Sequence, residues 1–142
     1  MAQSDVTAAD AISAKRATLF FFSAAMFIGI AMLDFPARTG IAFSIIWVAW
    51  AALLLLNLAG IGGWLCPPVA RRLANDEGTR ANRAQSLSLG FFVAIGVALL
   101  LSVLVRIVAI DAREVILSIV TSGISSALIC FAALERRSLA DG

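Results

Sequence analysis

Four apolar runs, 17–33, 41–65, 87–110 and 115–134, occupy most of this 142-residue chain. Each reaches the roughly 17 residues that an α-helix needs to cross a hydrocarbon core of about 30 Å. In lipid a backbone amide must be satisfied within its own segment, so runs of this kind fold as helices and not as open strands. A hydrophobic fraction of 61%, against about 45–50% in soluble domains, leaves too little polar surface for a water-soluble monomer. The expected class is all-α: an integral membrane four-helix bundle, in which two helical hairpins are joined by a cytoplasmic loop.

The polar residues between the runs set the boundaries. Residues 1–16 form an arm, with Thr7 and Asp10 at capping-box spacing, that leads into the first span at 17–33. Lys15 and Arg16 ahead of an apolar run also fit a signal peptide, but no A-x-A cleavage site precedes the polar residues. Pro36 and Gly40 fit a turn at 34–40, and Pro67-Pro68 blocks any continuation of the second span, expected at 41–65. A loop and helix entrance at 66–86 precedes the third span at 87–110. Residues 111–114 allow a tight turn, the fourth span is expected at 115–134, and 135–142 is a tail.

Charge orients this object. With the N-terminus, the central loop and the C-terminus on one side, that side holds Lys15, Arg16, Arg71, Arg72, Arg80 and Arg83, joined by Arg136 and Arg137; the other side keeps Arg38, Arg106 and Arg113. Positive residues accumulate on the cytoplasmic side, so both termini are expected in the cytoplasm of a bacterial inner membrane. The central loop supplies half of that positive charge.

Within the loop, Asn75 is suited to cap a helix whose first turn carries Asp76 and Glu77, and Arg80 lies three and four residues beyond them. If that helix continues through Arg83 into the third span, its first turns stand in the cytoplasm, with Gly78 as a candidate hinge. The run of Asp76, Glu77, Thr79 and Arg80 before an apolar helix resembles a pattern of uncharacterised small prokaryotic polytopic membrane proteins. The resemblance implies a polytopic membrane protein with an ordered cytoplasmic helix entrance, and no activity. Arg71, Arg72, Asp76, Glu77, Arg80 and Arg83 are therefore candidates for contact with a partner protein or with lipid headgroups.

Two polar features lie inside the spans. Asn57 falls near the middle of the expected second span, on one face with Trp50 and Trp64, and an amide there should face protein and not lipid. In the fourth span, Ser118, Thr121, Ser122 and Ser125 share a face at helical spacing. Together these form a candidate interhelical seam, which serves either to pack helices closely or to line a substrate path. Asp34, Arg38, Arg106, Asp111, Arg113 and Glu114 are expected at the outer surface, where they pair and fasten the two hairpins together or, alternatively, form an outer ligand-binding site.

Several function classes are excluded. The chain has no histidine and no tyrosine, which removes imidazole-ligated haem, His-based zinc sites and Ser-His or Cys-His catalysis. Cys66 and Cys130 form no CxxC pair. A net charge of +2 gives no reason to expect a nucleic-acid partner. Small multidrug resistance transporters are similar in size and helix count, but they carry a glutamate in their first helix, and Ala17 to Leu33 contains no acid. The expectation is a non-enzymatic membrane protein without cofactor or metal, acting through association as an accessory subunit or membrane anchor. Its partners are membrane lipid and another membrane or cytoplasmic protein, or a second copy. The alternative is a small oligomeric transporter or channel that uses the polar seam.

Overall fold

The computed structural model describes residues 2–32, 40–60 and 77–140. They form four helices, α1 (Ala2–Met32), α2 (Ile41–Leu58), α3 (Glu77–Leu104) and α4 (Ala112–Ala140), with no strand among the described residues. Each contains a stretch long and apolar enough to cross a membrane: Ala14–Met32, Ile41–Leu58, Gly78–Leu104 and Ala112–Arg137.

The helix limits differ from those expected, for local reasons. The arm is helical from Ala2 and continuous with the first span, as an alanine-rich stretch without a breaker allows. α2 ends at Leu58, not at 65, because Gly60 turns the chain with φ +81°, and its N–H bonds back to the Asn57 carbonyl at 3.0 Å. α3 is continuous from Glu77, with Gly78 in its first turn. It stops at Leu104, where Arg106 and Ile107 bond to carbonyls only three residues back. At the other end, Glu135, Arg136 and Arg137 extend α4 instead of closing it.

α4 is the centre of the bundle. It packs extensively against both α1 and α3, and α2 touches it more lightly. On α1 the buried stripe is Ala17, Phe20, Ala24 and Phe27, at helical spacing. It meets Ile124, Leu128 and Phe131 of α4 in one core cluster, with Phe20 set edge-to-face on Phe131 at 5.1 Å. α2 contributes Trp47, Ala51, Leu54 and Leu58. It is held to α1 by the Trp47 ring stacked on Phe27 at 5.4 Å and by Trp50 edge-on to the same ring at 5.7 Å. Thus α3 and α4, adjacent in the chain, pair closely, whereas the main neighbour of α1 is α4 and not α2.

The α3–α4 crossing depends on small residues. A Cβ built on Gly90 would come within 2.7 Å of both the Gly123 carbonyl and the Ala127 Cβ, and one on Gly123 within 2.9 Å of the Ala94 Cβ. Gly90 and Ala94 on one helix therefore face Gly123 and Ala127 on the other, a reciprocal small-xxx-small pair that lets the backbones touch. Outside these seams large apolar side chains such as Phe22, Leu53, Phe92 and Leu99 lie exposed. Such a surface suits lipid tails, which would solvate these side chains as water would not.

Candidate functional site

Two features gather the polar groups of the described residues. The first is a charged layer at the end of the bundle where α1 is entered and α4 leaves. Arg16 Nη2 donates to Glu135 Oε2 at 2.5 Å, with the two side chains 19% and 3% exposed. Thr79 of α3 joins them, its hydroxyl donating to Glu135 Oε1 at 3.4 Å and accepting from Arg16 Nη2 at 3.5 Å. One carboxylate thereby links α1, α3 and α4. The Arg16 guanidinium also lies 5.5 Å from the Phe131 ring centroid, which adds a cation–π contact below the ion pair.

Arg83 extends the layer to α2. Its guanidinium packs against Gly60, where a Cβ would collide with it, so the positive-φ turn that ends α2 also makes room for a cation. A positive group at a helix C-terminus is favoured by the helix dipole. Arg83 is also within electrostatic range of Arg16, Arg80 and Glu135. One turn deeper, Ser86 is fully buried and donates to the Asn82 carbonyl at 2.6 Å. Around this layer Lys15, Arg80, Arg136 and Arg137 are exposed.

The second feature is a cleft of about 590 Å³ floored by α4, with Ile28, Ala31 and Met32 of α1 on one side and Val97 of α3 on the other. Its floor carries Ser118, Thr121, Ser122, Ser125 and Ser126, and Glu114 stands at one end. Ser122 and Ser126 spend their hydroxyl hydrogens on α4 itself, donating to the Ile119 carbonyl at 3.0 Å and to the Ser122 carbonyl, respectively. Among the described residues, the buried hydroxyls of Thr121 and Ser125 have no hydrogen-bond partner. On the two walls, α1 and α3, the fully buried positions end at Phe27 and at Gly90, short of the residues that line the cleft. At the opposite end the Arg16–Thr79–Glu135 link holds the two helices together.

The residues expected from sequence are thereby distributed. Ser118, Thr121, Ser122 and Ser125 do share one face, and it lines the cleft. Asn57 is not with them. It lies exposed in the last turn of α2, near the charged layer and away from mid-span, because α2 ends seven residues earlier than expected. Trp47, not Trp50, is the deeply buried indole of α2. Arg80 is exposed and Arg83 is partly buried in the charged layer, while Glu77 opens α3. Arg71, Arg72 and Asp76 lie outside the described residues, as do Cys66 and Trp64.

Arg16, Thr79 and Glu135 were not foreseen as a unit. The signal was present, since a bundle with both termini on one side brings the charge before the first span level with the charge after the fourth. At the other end, Arg113 donates to the Ser44 hydroxyl at 3.2 Å and lies over Phe43, tying α4 to α2. Among the described residues no three His, Cys, Asp or Glu side chains cluster as a metal site would require.

Comparison with protein-family models, with curated proteins and with solved structures finds no match to this chain.

Proposed function

We propose that this protein is a non-enzymatic four-span membrane protein that acts through association, as an accessory subunit or as a membrane anchor for a partner. In this reading it lies in a bacterial inner membrane with both termini in the cytoplasm, the side to which eight of its eleven basic residues are assigned. The observation that carries the reading is the basic end of the bundle. Lys15, Arg80, Arg136 and Arg137 are exposed around a layer in which Arg16, Thr79, Arg83 and Glu135 lock the helix ends together. Cations carried on helix ends that are already held together suit the recognition of an acidic protein surface, because the helices need no further ordering on binding. Arg80 belongs to the docking face, while Arg83 is given a structural task by its contact with Gly60.

The test is recovery of crosslinked protein from native membranes. Arg80→Gln combined with Arg136→Gln and Arg137→Gln should abolish recovery of a discrete partner while leaving the chain folded. Unchanged recovery counts against this face as the docking surface.

The cleft favours a second reading, a small transporter or channel, because its floor carries a row of hydroxyls and the Arg16–Thr79–Glu135 link ties the helices together at one end of the bundle. Flux in liposomes that Ser122→Leu leaves unaltered removes that reading.

A further inference from the structure

The cleft on α4 has a chemistry separate from the basic end. Thr121 and Ser125 are 8% and 3% exposed, their hydroxyls lack partners among the described residues, and both side chains line the cleft. In an apolar interior a polar group without a partner is costly. Because Ser122 and Ser126 already donate to their own backbone, the hydrogens left to offer are those of Ser118, which is exposed, and of Thr121 and Ser125, which are buried, four residues and about one helical turn apart.

The shape limits what fits. A transmembrane helix lying along the whole of α4 would be blocked where Arg16, Thr79 and Glu135 bring α1, α3 and α4 together. A molecule entering sideways from the lipid, between Met32 and Val97, meets no such obstacle, and about 590 Å³ lies within the usual range for a small-molecule site. The walls carry no cation, and the charge at the rim is the carboxylate of Glu114, so an anionic head is disfavoured.

The geometry points to an intramembrane binding site for an uncharged lipophile that bears two carbonyl oxygens about one helical turn apart, received by the Thr121 and Ser125 hydroxyls. Two membrane constituents share that chemistry: the two esters of a diacylglycerol and the two ring carbonyls of a quinone.

The full-length protein, purified in mild detergent, is titrated with dioctanoylglycerol, with a decyl-substituted benzoquinone, with decanoate and with a decyl-substituted benzene, and the complexes are read by native mass spectrometry. Saturable 1:1 binding of at least one dicarbonyl probe, with weak binding of decanoate and of the hydrocarbon, is expected, and which probe binds separates the two sources. The near-isosteric pair Thr121→Val and Ser125→Ala should weaken that binding about tenfold or more, since two neutral hydrogen bonds are lost together. Ser122→Leu, which fills the floor, should abolish it, and Ser102→Ala on the exposed side of α3 should leave it unchanged. Absence of binding by both dicarbonyl probes, equal binding of the hydrocarbon, or undiminished binding by the Val/Ala pair overturns the site. A disulfide crosslink from Ser118→Cys to a helix of another protein in native membranes would also overturn it, by showing the cleft to be a helix-docking groove.

Discussion

Arg16 and Glu135, 119 residues apart in the chain, meet at 2.5 Å where the first and last helices run side by side. The contact closes the bundle between its two ends, and Thr79 brings the third helix into it. Glu135 is the shared acceptor, and Arg83 also stands within its field. Removing the carboxylate therefore leaves neighbouring cations facing one another, whereas removing Arg16 leaves Glu135 a remaining cation nearby.

Glu135→Ala is accordingly expected to cost about 3–5 kcal/mol, the range for breaking a buried pair, and Arg16→Met less, about 1.5–3 kcal/mol. Denaturation in detergent micelles measures both. The double variant should be more stable than the sum of the two losses predicts, because it leaves no buried charge at the pair. Strict additivity would mean that the two groups do not act together.

The glycines divide sharply by what surrounds them. Gly90→Ala and Gly123→Ala place a methyl group against backbone and Cβ atoms of the facing helix, and each should destabilise by about 1–3 kcal/mol as the crossing is forced apart. Gly29→Ala and Gly96→Ala, with nothing within 4 Å of the added carbon, should stay within about 0.5 kcal/mol of the parent or gain slightly from helix propensity. Unfolding midpoints for the four variants check the contrast.

Gly60→Ala should lose about 1 kcal/mol from the positive φ alone, and a smaller amount from displacing the flexible end of Arg83. In an Arg83→Ala background the second loss disappears. The same unfolding measurement on the double-mutant cycle tests whether the turn and the cation are coupled.

Asn57→Leu should change stability by no more than about 0.5 kcal/mol, since the side chain is exposed in the last turn of α2. A large loss would mean that this amide is buried against protein in the membrane.

How far the sequence could be read follows from these residues. The four spans were legible because a long apolar run has one structural outcome in lipid, and the small polar face of α4 was legible because its hydroxyls recur at helical spacing. The end of α2 was not. Nothing local distinguishes a glycine tolerated in a helix from one that terminates it, and moving that boundary from 65 to 58 carried Asn57 out of the expected seam. The pairing of α1 with α4 was equally hidden, since the order of spans does not say which helix stands at the centre. It is decided by side-chain fit, by Phe20 against Phe131 and by Gly90 against Gly123.

The association reading is met most directly by a photo-crosslinking amino acid at Ala84, which is exposed one turn beyond Arg80 on the same helix. After irradiation of native membranes the account predicts one discrete protein adduct, identified by mass spectrometry, that disappears when Arg80, Arg136 and Arg137 are changed to Gln. Adducts with lipid alone, or a protein adduct that survives the loss of those three charges, would contradict it.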